Sequence, residues 1–397
     1  MSKNSCEKVV ILGAARTPIG KFGGGLSSVT APALGATAVR GALERAGVEP
    51  DQAEYTIMGN VLGAGLGQAP ARQAAIHAGV PETSSALTVN KMCASGLMSV
   101  VLGAQMVKAG DVGMVVAGGM ESMSRAPHVL EGSRDGKRLG NWELMDTMIN
   151  DGLWCCFNDR AMGHLAEGTA TAFDVTREEQ DRFALASHQK ATAAAASGAF
   201  EAETVPVTVN GRGAPTEVHS DEGPRADTSL EKLASLKPAF APGTTVTAGN
   251  SSQISDGAAA LVVGGETRAE ELGLQPMARI DDYVWVANDP TRQFEAPALV
   301  VDRLLQKGGL TLADVDLLEV NEAFAAQAVA NGKVLEWDRE KVNVNGGAIA
   351  LGHPIGASGA RVLVTLLYAL KARGLSTGVV ALCHAGGGAV AMRVSLV

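Results

Sequence analysis

In the stretch Val89-Asn90-Lys91-Met92-Cys93-Ala94-Ser95-Gly96, one cysteine stands between an apolar strand-like run and a small-residue helix start. A thiol there meets the unpaired N–H groups and positive dipole end of a helix, which favour thiolate. Three further stretches carry reactive or polar side chains in turns of small residues: Asn321-Glu322-Ala323-Phe324-Ala325, the run from Gly346 to Pro354 that contains His353, and Cys383-His384-Ala385-Gly386-Gly387-Gly388. Cys93 reads as a nucleophile, because a thiolate attacks a carbonyl well and a thioester keeps the acyl group activated. His353 precedes a proline that restrains its backbone toward extended conformations, and its titration range lets it take the Cys93 proton near neutral pH. Cys383 ends the strand Val379 to Leu382, and an ordinary thiol pKa of roughly 8.5 suits general acid/base work beside a thioester. His384, adjacent on an extended segment, is expected to face the other way. His77, His128, His164, His188 and His219 have no comparable setting.

Self-comparison of the chain shows how such distant groups can meet. Gly41 to Gly47, an acidic turn and Tyr55 to Met58 recur as Arg303 to Gly309, an acidic turn and Leu317 to Val320. At nearly the same offset, Ala94-Ser95-Gly96 recurs as Ala357-Ser358-Gly359, and Val115-Val116-Ala117 as Val379-Val380-Ala381. These are two copies of one helix–strand unit, whose short β-branched strands are expected to form buried, mostly parallel sheets. Packed about a pseudo-twofold axis, the copies would aim both helix starts at one centre. Between them, from about Arg125 to Ser252, lies a stretch with charged segments, a helix candidate from Arg177 to Gly198 and a Gly/Pro-rich polar run from Asn210 to Asp227. Loop-rich insertions of this kind carry binding. The expected organisation is a first half over 1–124 completed by about 253–274, a loop domain over 125–252, and a second half over 275–397.

Taken in order with Ala14-Ala15-Arg16-Thr17-Pro18-Ile19-Gly20, these blocks resemble the thiolase family over essentially the whole chain, and the run His353-Pro354-Ile355-Gly356-Ala357-Ser358-Gly359-Ala360-Arg361 is similar to its biosynthetic branch. The resemblance implies two similar α/β halves stacked as five αβαβα layers, a loop domain that covers substrate and contributes oligomer contacts, and a tetramer. The implied activity is that of an acetyl-CoA C-acetyltransferase, which reversibly joins two acetyl-CoA into acetoacetyl-CoA plus coenzyme A through an acyl group on Cys93. No cofactor is implied beyond coenzyme A as substrate and product. In the family's pattern Asn321 holds a water that, with His353, stabilises one thioester oxygen, while the backbone N–H groups of Cys93 and Ala385 hold the other. Leu153, Met162, Arg225, Phe240, Ala248, Ser252 and Phe324 are implied coenzyme A contacts. The sequence departs from that pattern at Ala385, where glycine is usual, at Ala161 for histidine and at Gln293 for methionine, and Gln253 is similar to degradative members. Alanine at 385 preserves the oxyanion hole only if its φ is negative. The alternatives are a degradative 3-ketoacyl-CoA thiolase of broader chain length and a non-catalytic acyl-CoA or lipid-binding relative. A decarboxylating ketosynthase would need two histidines where Asn321 and Cys383 stand.

Length and composition limit the other classes. The 397 residues suggest two or three domains, and 46% hydrophobic, 19% charged and 4% aromatic residues describe a compact soluble protein built on Ala, Gly and Val. A net charge of −9 argues against nucleic-acid binding, so an anionic ligand must find local cations such as Arg134, Lys137, Arg138 or Arg225. No uninterrupted apolar run nears the roughly 18 residues of a membrane span. The polar Met1 to Lys8 leaves no room for a signal peptide before Val9, and the C-terminal Val394 to Val397 is not a peroxisomal address. Five cysteines without paired spacing fit a reducing, cytoplasmic setting. Adjacent Cys155 and Cys156 are not spaced to grip zinc and are expected near the substrate channel, and no Gly-x-Gly-x-x-Gly follows Val9 to Leu12.

Overall fold

The structure, a computed structural model, describes residues 7–211 and 213–397. Most of the polar N-terminal segment and Arg212 of the polar run lie outside the described residues. The first copy runs β1 (Val9–Arg16), α1 (Ala31–Ala46), β2 (Tyr55–Gly59), α2 (Pro70–His77), β3 (Ser85–Val89), α3 (Ser95–Ala109) and β4 (Met114–Ser122). The inserted stretch holds α4 (Met162–Ala172) and α5 (Arg177–Ala196), after which β5 (Ser255–Gly265) returns to the first half. The second copy follows as β6 (Ala278–Ala287), α6 (Ala296–Gly308), β7 (Leu317–Val320), α7 (Ala325–Leu335), α8 (Ser358–Arg373), β8 (Thr377–His384) and β9 (Gly388–Leu396).

The repeat is visible in how equivalent helices end. Gly47 closes α1 at φ 63° and Gly309 closes α6 at φ 65°, both left-handed and both donating their N–H back to the last turn. Glycine takes that conformation without steric cost, which is why the motif reads so clearly in sequence.

Hydrogen bonding orders the strands β7-β8-β9-β6-β1-β5-β4-β2-β3, with the short Gly20–Lys21 pairing onto β5. Among the described residues, the two halves pair at Val10↔Arg279 and Ile11↔Ala278, where β1 meets β6. The expectation of mostly parallel sheets needs correction. β2 is parallel to β3 and β4, and β7 to β8, whereas the pairings that involve β1, β5, β6 and β9 are antiparallel. β9 follows β8 after only three turn residues, and a turn that short can only reverse the chain.

Three buried clusters separate the layers. α1 and α2 cover the outer face of the first half, α6 that of the second, and α3 and α8 share the central cluster between the half-sheets. The result is αβαβα. Because α3 lies in the middle layer it is apolar on nearly all sides, so Met92–Ala109 has the length and hydropathy of a membrane span while being largely enclosed by protein. α3 and α8 meet almost backbone to backbone: a Cβ on Gly96 would lie 2.7 Å from Ala360 N, and one on Gly359 2.2 Å from Leu97 N.

The inserted stretch is tied down by charge as well as by packing. Buried Arg16, at the end of β1, bonds Glu203 at 2.5 Å and Asp221 at 2.7 and 2.9 Å, and Glu203 also accepts from Thr365 on α8 at 3.1 Å. α5 fills the expected helix to within two residues and starts on a Thr176–Glu179 capping box.

Candidate active site

The ends of β8, of the turn before α3 and of the turn before α8 open on one cavity of about 460 Å³, lined by Cys93, His353, Cys383 and Ala385 among others. Cys93 sits two residues ahead of α3 on a sharp elbow. Met92 adopts φ 51°, unusual for a side chain of that size, and Ser95 Oγ holds the bend by accepting from Lys91 N at 2.7 Å and donating to Met92 O at 2.6 Å. The backbone N–H groups of Cys93 and Ala385 both reach the Cys93 sulfur. This is the pair that the family pattern assigns to an oxyanion. Gly386 and Gly387 take the left-handed conformation, at φ 90° and 89°, while Ala385 stays out of it, so the alanine keeps its N–H aimed without strain.

The ionisation states differ from the sequence expectation. Burial outweighs the helix end and pushes the Cys93 thiol up to about 12, with the Glu121 carboxylate acting in the same direction. Cys93 therefore rests as a thiol. Cys383 lies within β8 and is buried, and burial, with Cys93 beside it, raises its thiol as well, far from the near-neutral titration expected. Burial, assisted by Arg361, lowers His353 to about 3, so its imidazole is neutral throughout the physiological range.

The tautomer of His353 follows from its partners. Ser358 Oγ donates to Pro354 O at 2.9 Å, so at 2.5 Å from His353 Nδ1 it accepts the ring N–H. Nε2 is then an unprotonated acceptor, and Asn321 Nδ2 stands 3.5 Å from it. Asn321 is fixed from behind: its N–H bonds Ala381 O at 3.0 Å, while Asn343 grips Val320 through both amide atoms at 2.9 Å and Glu322 at 2.8 Å. A neutral base is thus oriented toward the cavity with a neutral donor alongside. The His353 ring is expected to keep the signals of the neutral Nδ1–H tautomer in ¹⁵N NMR from pH 8 down to about 5; a midpoint near 6.5, the ordinary histidine value, would contradict the burial argument.

Of the implied coenzyme A contacts, Leu153, Met162, Phe240, Ser252 and Phe324 line the cavity. Arg225 and Ala248 do not; both are exposed, and the Arg225 backbone N–H donates to His188 Nδ1 at 3.2 Å. Arg134, Lys137 and Arg138 are likewise exposed. Cys155 is buried in the same cluster as Met162 and Cys383, whereas Cys156 is exposed. His384 is half-buried, with Nδ1 3.0 Å from Ala385 O, and is not part of the cavity wall.

Three positions have contacts at the site that the sequence analysis does not assign. Ser358 sets the His353 tautomer, and only its place five residues on, in a small-residue helix start, hinted at it. Gln253 donates to Gly223 O, Ile349 O and Ala350 O at 3.1, 3.0 and 2.9 Å, pinning the inserted stretch to the turn before His353. Glu121 lies buried beneath the site, in a strand that reads as purely structural.

The model for the thiolase N-terminal domain matches residues 9–267, and that for the thiolase C-terminal domain matches 274–396. The chain belongs to the thiolase family. This thiolase is 52% identical over 387 residues to the acetyl-CoA acetyltransferase of Cupriavidus necator, covering 97% of this chain and 98% of that one, and 52% identical to the acetyl-CoA acetyltransferase of Escherichia coli with the same coverage. Among solved structures, the Bacillus anthracis acetyl-CoA acetyltransferase superposes with a TM-score of 0.97 at 43% identity, covering all of both chains.

Proposed function

We propose that this thiolase is an acetyl-CoA C-acetyltransferase that reversibly condenses two acetyl-CoA into acetoacetyl-CoA and free coenzyme A. The observation that carries the reading is the convergence of the Cys93 and Ala385 N–H groups on the Cys93 sulfur, in a cavity shared with Nε2 of His353 and with Cys383. The thioester carbonyl enters between those N–H groups, Cys93 passes its proton to His353 Nε2 as its sulfur attacks, and the departing coenzyme A thiolate recovers that proton. Because Cys93 is a thiol at rest, proton transfer and attack proceed together. A second acetyl-CoA then places its carbonyl oxygen toward Asn321 and His353. The Cys383 thiol passes its proton to His353 Nε2, which then donates to that carbonyl oxygen; as a thiolate Cys383 takes the α-proton, the enolate carbon bonds to the acetyl carbon on Cys93, the Cys93–acyl bond breaks, and the Cys93 thiolate recovers the proton from His353 Nε2. Coenzyme A supplies the thioester chemistry, and no other cofactor enters these steps.

Chain-length breadth is supported by one feature of the acyl end. Ala161 and Gln293 both line the cavity; Gln293 donates to Met162 Sδ at 3.0 Å and its Oε1 is buried without a partner. A small side chain at 161 leaves room, and a methylene in an apolar pocket is worth roughly 1–3 kcal/mol of discrimination. Wild type is expected to cleave 3-ketohexanoyl-CoA with a kcat/KM comparable to that for acetoacetyl-CoA, and Ala161→His to favour the shorter substrate about ten-fold or more. A wild type already restricted to acetoacetyl-CoA and unaffected by Ala161→His would overturn this.

The tetramer is proposed on the apolar side chains of Leu139, Trp142 and Leu144, of which Leu139 is 90% exposed on the loop after β4. Sedimentation at the mass of a monomer would oppose it. A cytoplasmic location is proposed on the four described cysteines, all free; recovery of the protein from an oxidising compartment would refute it.

A further inference from the structure

A carboxylate at the end of β4 takes no part in the steps above. Glu121 is fully enclosed, and it accepts hydrogen bonds from Val61 N at 3.0 Å, Leu62 N at 3.1 Å, Asn60 Nδ2 at 2.8 Å and Gly356 N at 2.8 Å. The first three donors follow β2 in the nucleophile's half of the molecule. Gly356 belongs to the other half, in the turn between His353 and Ser358. That turn has no slack: a Cβ on Gly356 would lie 2.8 Å from both Glu121 Oε2 and Asn60 Cα, and Cβ atoms on Gly59 and Gly119 would lie 2.6 and 2.1 Å from the Gly356 carbonyl oxygen. An ionised carboxylate with four donors is well satisfied when buried, and such charge-assisted bonds are the stronger kind.

We infer that Glu121 is a positioning residue that clamps the His353 turn onto the nucleophile's half of the molecule. His353, Cys383 and Glu121 are the titratable groups that face Cys93, Asp256 faces Glu121, and Arg361 faces His353. Burial lifts the Glu121 carboxyl to about 7, so the comparison belongs at pH 8 and above, where it is ionised.

The test is kcat and KM for acetyl-CoA, together with alkylation of Cys93 by iodoacetamide at pH 8, followed by peptide mapping on the full chain. Glu121→Gln removes the charge and turns one of the two acceptor oxygens into a donor, so two of the four N–H partners lose their acceptor. Its kcat is expected to drop about ten-fold or more with KM little changed. Glu121→Asp keeps the charge but shortens the reach to Gly356, so kcat should drop by a similar factor with no gain in alkylation rate. Wild-type kcat in either variant overturns the clamp, and so does a loss of kcat in Glu121→Asp that comes with faster alkylation, the sign of a loosened fold. Should the Gln variant fail to fold, the Asp variant alone decides between loss of kcat without faster alkylation and no loss at all. The inference rests on Cys93 and His353 being the acyl-transfer pair. A wild type without acetyl transfer would remove that reading, whereas wild-type kcat in Glu121→Asp would remove the clamp alone.

Discussion

Cys383→Ala is expected to take one acetyl group from acetyl-CoA onto Cys93 at close to the wild-type rate, yet to lose condensation by about 10²- to 10⁴-fold, the usual contribution of a positioned acid/base group. The separation follows from where the two sulfurs lie. Cys93 stands before α3 with two backbone N–H groups on its sulfur, whereas Cys383 is held within β8 and faces the cavity with its own backbone N–H on its sulfur. Only the first geometry stabilises the tetrahedral oxyanion of acyl transfer. The second places a proton carrier beside the acyl-enzyme. Quenched-flow acetylation and acetoacetyl-CoA formation, measured on the same preparation, check both halves. A Cys383→Ala protein that cannot be acetylated, or one that still condenses at the wild-type rate, would reverse or erase the division of labour.

Gly119→Ala is expected to cost activity about 10²-fold or more and stability by about 1–3 kcal/mol, although residue 119 lies in β4 and reaches no substrate. The added methyl would sit 2.1 Å from Gly356 O and 2.9 Å from Ala357 Cα. Neither contact is a flexible side-chain end, so relief requires the backbone between His353 and Ser358 to move. A shift of about 1 Å in the base relative to Cys93 is enough for the stated loss. Thermal unfolding and kcat measured together test it; near-normal kcat would mean that the His353 turn tolerates displacement and that its close contact with β4 has no catalytic consequence.

Both results bear on how much of the molecule its sequence discloses. The duplication was readable because it is written in local chemistry: Gly47 and Gly309 close equivalent helices in a conformation that suits glycine, and Ser95 and Ser358 open equivalent helices. Each of the four reactive blocks falls at the end of an element, where side chains can converge. Strand direction is not legible because runs such as Val115 to Ala117 are apolar on both faces in either orientation, and the return of β5 from beyond the insertion and the tight β8–β9 turn decide it. The resting charge states are not legible for a different reason. A helix start favours thiolate, and that much is local, but the burial of Cys383 and His353 and the partial burial of Cys93 are properties of five stacked layers and dominate. Glu121 was invisible for the same cause: its donors come from residues near 60 and from Gly356, brought together only when the halves pack. Of the seven contacts assigned by resemblance, Arg225 and Ala248 fall outside the cavity wall, whereas Leu153, Met162, Phe240, Ser252 and Phe324 lie in it.

The central claim, that Cys93 carries the acyl group, is tested most directly by mass spectrometry of the wild-type protein after brief mixing with acetyl-CoA and acid quenching. One added acetyl group on the peptide that contains Cys93, absent from Cys93→Ala, is the expected result. Acetylation of Cys383 in place of Cys93, or undiminished acetyl uptake by Cys93→Ala, would contradict it.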